Sequence, residues 1–299
     1  MDPIGTAPAG HGFLLVEWPL PWPARLEQLP ELQALLAPLA RDRIRLQLVV
    51  PREEGRSRSR RQVVLYRRIE GERFHSFSRQ EWEATSDSVI ARTLDLLATS
   101  TPRDRDRSAK VVDVLICGHG RRDACCGSSG TALFRSLCRS DAPRLPSNLR
   151  IWRTSHLGGH RFAPTAVTLP DGCAWAFLDV EGLSRIIRRE GPVSDLAGRY
   201  RGSTGMPSPQ AQALEREAFV DVGWDWLGRP RAAEELPGGV VRIVRFPPAG
   251  GPQVWTGVVR AGRAVPVPDC GTPGGAAAKT ENELHVDITD RPGPRESCA

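Results

Sequence analysis

"VVDVLICGHGRRDACCGSSGTALFRSLCRS", residues 111–140, is the stretch that decides the fold of this 299-residue chain. VVDVLICG (111–118) is an apolar, β-branched run of the kind that forms a strand buried on both faces. A glycine-rich loop with three cysteines follows, and SGTALFRSLCRS (129–140) then has helical spacing. A strand running through a loop into a helix opens a parallel crossover, and LRIWRTS (149–155) supplies the second strand.

Downstream, TAVTLPDGCAWAFLD (165–179) reads as a hairpin turning at Pro170-Asp171-Gly172, and VEGLSRIIRRE (180–190) as a covering helix. The order β-α-β-β-β-α is that of a thioredoxin-like core. Upstream, FLLVEW (13–18), IRLQLVV (44–50) and RQVVLYRR (61–68) read as strands. Residues 24–40 read as a helix broken at Pro30, and DSVIARTLDLLA (87–98) as an amphipathic helix. The expected class is α/β. An N-terminal α/β region (1–104) precedes a thioredoxin-like domain (105–205), followed by a C-terminal helix and hairpin extension (206–270). The helix is SPQAQALEREAFVDVG (208–223), and the hairpin joins VVRIVRF (240–246) to QVWTGVV (253–259). From Gly271 to Ala299 the composition is that of a disordered tail.

The net charge is +6, yet only Lys110 and Lys279 among the 41 basic residues are lysines, a skew that points to a GC-rich genome. GRSRSRR (55–61) and PRDRDR (102–107) read as solvated loops. With no RNA-binding aromatic signature or helix-turn-helix spacing beside them, no nucleic-acid partner is expected. There is no basic segment leading an apolar run at the N-terminus and no stretch of eighteen apolar residues. The expectation is therefore a cytoplasmic chain with no membrane partner. Seven cysteines without an export signal argue against a disulfide framework and for metal ligands or redox thiols.

Cys117 lies where the first strand ends, and Cys126 lies nine positions later at the expected start of a helix. His156 and His160 follow the second strand. In a parallel crossover, strand C-termini and helix N-termini share one sheet edge, so these four side chains can meet on one rim. Gly158-Gly159 lets the backbone between the histidines approach a bound group. A single zinc ion could use the same donors, although the C-x8-C spacing is wider than a zinc knuckle. A [2Fe–2S] cluster with Rieske-like ligation suits the wider loop, although both Rieske boxes are missing. A thiol enzyme centred on Cys125 and Cys126 would exploit a thiolate at a helix start, without the usual C-x-x-C. A Cys–His hydrolase would leave the other Cys and His without a role.

Cys125 is a neighbouring thiol or a substitute for Cys126, and His119 a loop residue beside the site. Arg121, Arg122 and Asp123 are candidates for ordering the loop, the carboxylate accepting backbone N–H bonds, and Arg161 is a further candidate beside His160. Cys138 and Cys173 read as packed small hydrophobes, and Trp152 and Trp175 as core.

The strings CGHGRRDACCGSSGTALFRSL, IWRTSHLGGHRFAPTAVTLPDG and YRG…PSPQAQALE resemble the sucrase/ferredoxin-like family, the thioredoxin-like [2Fe–2S] ferredoxins of bacteria and fungi. The resemblance is dense over 111–215 and looser at FLLVEWPLPWPARL, and DCG (269–271) looks like the family's Ser-Cys-Gly ending. It implies a [2Fe–2S] cluster ligated by Cys117, Cys126, His156 and His160. "Sucrase" in the name does not imply sugar hydrolysis. The implied activity is electron transfer to or from a redox partner protein, a reductase or an acceptor, rather than turnover of a substrate. If the histidines are partly exposed, loss of a ring proton on oxidation couples electrons to protons. The rival readings are a redox-sensing or cluster-carrying protein and the thiol enzyme.

Overall fold

The computed structural model describes residues 1–51, 60–69, 71, 73–99, 111–139, 145–268 and 277–293. The first part of the chain forms β1 (Gly12–Glu17), α1 (Gln33–Arg41), β2 (Ile44–Val49), β3 (Arg60–Arg68), β4 (Phe77–Thr85) and α2 (Ser86–Thr99). The next part follows the same path with β5 (Val112–Cys117), α3 (Thr131–Leu137), β6 (Leu149–Thr154), β7 (Ala166–Leu169), β8 (Cys173–Trp175) and α4 (Val180–Arg188). In each unit the first two strands run parallel, the third is antiparallel to the first, and the fourth is antiparallel to the third. The second strands of the two units, β2 and β6, meet antiparallel at Val49 and Thr154. With β9 (Tyr200–Ser203) at the edge, the nine-stranded order is β4-β3-β1-β2-β6-β5-β7-β8-β9.

The sheet folds at the β2–β6 seam so that the two units face each other. Leu14, Val16, Val63 and Leu65 point outward to Leu35, Leu39 and Val89 of α1 and α2. Their neighbours Phe13, Leu15, Val64 and Tyr66 meet Leu115, Trp152 and Val167 of the second unit. On the far face of β5, Val114 and Ile116 pack with Leu133, Leu183 and Leu214. Strand alternation therefore gives each unit one helix-covered face and one shared face.

A second, antiparallel sheet has the order β10 (Arg231–Leu236), β11 (Val240–Arg245), β12 (Gln253–Pro268), β13 (Ala277–Asp290). Helix α5 (Pro209–Val222) packs on it and on β9. Ser208 caps α5 by accepting from Ala211 N–H, with Pro209 in the first turn and Gly223 closing the helix.

The α/β class agrees with the sequence, and several details differ. Residues 277–290, expected in a disordered tail, form β13. Leu284, Val286 and Ile288 alternate along it and pack on the α5 core, a pattern hidden by the Gly/Ala-rich segment before it. The helix expected over 24–40 is two short 3-10 turns, Leu26–Gln28 and Pro30–Leu32, and becomes α-helical only after Pro30. Cys173 is buried as expected, but Cys138 is exposed at the end of α3, because the helix stops at Leu137. The Arg-rich segments 55–59 and 102–107, the DCG string and the tail residues 271–276 and 294–299 lie outside the described residues.

One buried carboxylate ties the facing sheets together. Asp113 of β5 is fully buried and accepts from Arg150 Nε and Nη2 at 2.7 and 2.8 Å, from Trp152 Nε1 at 2.7 Å and from the Tyr66 hydroxyl. Burial pushes its carboxyl pKa up, but the bonds and charge of Arg150, with Tyr66 and Trp152, hold it below the usual carboxylate range. The same group titrates near pH ~4 in the unfolded chain. Its stabilisation is therefore complete above that pH and is lost as pH falls through the lower folded value. Asp113→Asn should lower the unfolding free energy at pH 7 by about 3 kcal/mol by removing the buried carboxylate that Arg150 and Arg79 share, with Glu81 as their remaining anion. The deficit should narrow below about pH 4, and urea titrations at both pH values check it.

Candidate functional site

β5 ends in Cys117, whose chain turns at Gly118 into the loop 118–123. The helix re-forms at Ala124, passes through a π turn at Cys126–Gly130 and continues as α3. It thus starts earlier than the sequence suggested, and both Cys125 and Cys126 occupy its first turn. π turns recur at functional sites because they re-aim side chains. Gly130 makes the junction possible, since a Cβ there would lie 1.8 Å from the Cys117 carbonyl oxygen.

From the adjacent end of β6 the chain enters the loop holding His156 and His160. Gly158 and Gly159 adopt φ values of 83° and 70°, the left-handed region that glycine favours. Gln47 of β2, 1% exposed, fixes the start of this loop. Its Oε1 accepts from Thr154 Oγ1 (3.1 Å) and Ser155 Oγ (3.2 Å), and its Nε2 donates to the His156 carbonyl (3.4 Å).

Cys117 and Cys126 are 0% and 1% exposed and their sulfurs interact. His156 and the amides of Leu157 and His119 also reach the Cys117 sulfur. The Cys126 hydrogen bond pulls the Cys117 thiol well below its ordinary pKa, burial opposes this, and His156 and the amides add to it. The proton is left on Cys126, whose pKa that same bond and burial push far up. His156 Nδ1 lies 2.7 Å from Asp123 Oδ2. Burial lowers the His156 pKa, but Asp123 and Cys117 raise it further, so the net shift is upward. Cys125, half-buried, faces the other histidine, with its Sγ 3.7 Å from His160 Nδ1 and 3.2 Å from the His160 carbonyl oxygen.

The remaining candidates take distinct positions. The Asp123 side chain meets an imidazole rather than the backbone amides expected of it. His119 offers its amide to Cys117, while its ring is 2% exposed, edge-on to Trp22, with Nε2 2.9 Å from the Pro23 carbonyl oxygen. Arg121 and Arg122 are exposed on the loop. Arg161 pairs with Glu281 of β13, a contact no local pattern announces. Arg201 of β9 and Gln47 were not among the sequence candidates. Arg201 stands in the YRG string, but its separation from the cysteines gave no sign of contact.

Among the described residues no three His, Cys, Asp or Glu side chains close on a single metal-ion position. The donors are spread as Cys117–Cys126–His156 with Cys125–His160 alongside. The donor chemistry, two buried thiols of which one is strongly acidified and two imidazoles on the same rim, fits an iron–sulfur cluster. No helix among the described residues is long and apolar enough to cross a membrane. A family model described as sucrase/ferredoxin-like matches residues 3–202. No curated protein and no solved structure matches the chain.

Proposed function

The chain belongs to the sucrase/ferredoxin-like family, and from that membership we propose that it is an electron-transfer protein whose Cys117, Cys126, His156 and His160 hold a [2Fe–2S] cluster. The observation that carries this reading is the meeting of Cys117, Cys126 and His156 at the ends of β5 and β6. The order β6-β5-β7-β8 around them supports a thioredoxin-like unit as the scaffold. When bound, the cluster supplies storage of one electron at a potential raised by its two neutral ligands.

The protein's part is to hold the donors and manage charge. Amides of His119 and Leu157 stabilise negative charge on the Cys117 sulfur. Asp123 orients His156 through Nδ1, the nitrogen that carries the exchangeable proton when Nε2 is the ligand. His156 Nδ1 is itself buried against Asp123, so its proton would leave by way of that carboxylate, and electron uptake is coupled to it. The partner is a reductase or acceptor protein, in keeping with a cytoplasmic electron carrier. Cys125 is the neighbouring thiol facing His160 rather than a ligand.

Anaerobic purification should give a red-brown protein with roughly two irons and two sulfides per chain and a Rieske-like EPR signal after dithionite. A colourless protein, or one holding a single zinc, overturns the proposal. His156→Cys should keep the cluster while lowering its potential on the order of 100–300 mV, because a thiolate adds negative charge. The same variant should flatten part of the fall in potential with rising pH, read by redox titration across pH.

A further inference from the structure

Arg201 carries a buried charge that no carboxylate answers. The side chain is 1% exposed. Its Nε donates to Thr6 Oγ1 at 3.0 Å, its Nη2 to the Thr6 carbonyl at 2.5 Å and its Nη1 to the Gly158 carbonyl at 3.1 Å. All three acceptors are neutral, and among the described residues Arg201 forms no ion pair. Burial lowers the guanidinium pKa to about 10, and Arg161 and Arg45 add to the fall, so the group is still a cation at neutral pH. The anionic group of the sulfur centre acting on it is the acidified Cys117 sulfur.

A fold does not keep an isolated cation out of water without cost, and a guanidinium with only neutral acceptors is poorly compensated. The two other fully buried arginines among the described residues show the contrast: Arg231 Nε donates to the Glu215 carboxylate at 2.8 Å, and Arg245 pairs with Asp225. Arg201 is also wedged against the histidine loop. A Cβ on Gly159 would come within 2.6 Å of Arg201 Nη2, so the guanidinium lies on the backbone between His156 and His160.

We infer that Arg201 is the buried counter-cation of the sulfur centre, favouring the state that holds the extra electron and fixing the histidine loop through Gly158. The inference rests on the cluster reading above. With two thiolates and two neutral imidazoles, an oxidised [2Fe–2S] cluster is formally neutral and gains one negative charge on reduction. A fixed cation in a low-dielectric setting acts on that added charge far more than one in water would. Arg201 is thus a positioning and charge-balancing residue, and its effect is on equilibrium rather than on bond making.

Two variants test it by opposite routes. Arg201→Gln removes the cation and keeps hydrogen-bond donors, while Thr6→Asp leaves Arg201 in place and sets a carboxylate beside it. Both should retain full iron and sulfide, and in both the ratio of reduced to oxidised protein at a fixed potential should fall at least tenfold. For a one-electron couple that is a shift of about 59 mV. Arg201→Lys keeps the charge and should stay within about threefold of the parent ratio. If Arg201→Gln does not fold, Thr6→Asp carries the test alone. A parent-like potential in a fully loaded Arg201→Gln or Thr6→Asp protein overturns the inference, as does a shift in Arg201→Lys as large as that in Arg201→Gln. A parent protein without iron and sulfide overturns the cluster reading and this inference with it, an outcome that metal analysis alone distinguishes.

Discussion

Cys117→Ser should yield a folded and colourless protein. Cys117 is fully buried, and Cys126, His156 and two backbone amides converge on its sulfur, so no other side chain can take its place. A serine oxygen is shorter than sulfur and is not ionised at neutral pH, which makes it a poor ligand for a soft iron–sulfide unit. Iron and sulfide should fall to about a tenth of the parent content or less, on the scale of ligand-shell losses. Far-UV circular dichroism should be unchanged, because the hydroxyl can still accept from the amides. Cys138→Ser, at an exposed position beyond α3, should keep full colour and serves as the control. A Cys117→Ser protein that keeps its absorption spectrum would remove Cys117 from the ligand set.

Gly130→Ala should be the most damaging single-methyl change near the site. Gly130 has helical angles, φ −68° and ψ −38°, so backbone preference alone would favour alanine. The clash decides instead: the new Cβ would sit 1.8 Å from the Cys117 carbonyl oxygen and 3.0 Å from its carbon. Those are backbone atoms at the buried end of β5, and they cannot swing aside as a side chain would. The expected loss is about 3 kcal/mol or more, at the upper end of overpacking effects, read as a lower urea midpoint with unchanged slope. Gly198→Ala, where the added carbon meets nothing within 4 Å, should stay within about 0.5 kcal/mol.

How far the sequence could be read depends on where each signal lies. β5, the helix after it and the hairpin at Pro170-Asp171-Gly172 were legible because apolar runs and turn residues are local. The edge strand β4 was not, since Arg79 and Glu81 within it form ion pairs with each other and across to Arg150 and Asp113, and so look like loop charges. β13 was hidden behind a glycine- and alanine-rich approach. At the site, the C-x8-C and H-x3-H spacings together with the crossover were enough to place Cys117, Cys126 and His156 at one edge. Arg201, Gln47 and the Arg161–Glu281 pair were invisible because each depends on strand pairing between distant segments. The fate of the His119 ring was equally hidden, since Trp22 and Pro23 belong to the opposite unit.

The repeated chain path has a consequence for modularity. All four proposed donors lie in the second unit, yet Gln47 holds the histidine loop from the first, Pro23 takes the ring of His119, and Tyr66 closes on Asp113 behind the site. The equivalent end of β1 offers Glu17, whose carboxylate is engaged by the Gln62 amide. One half therefore carries the proposed donors, and its topological twin is the wall against which they are set. The two copies of one path thus lean on each other, and the second, taken alone, would hold Cys117, Cys126, His156 and His160 without the contacts from Gln47, Pro23 and Tyr66 that set their surroundings.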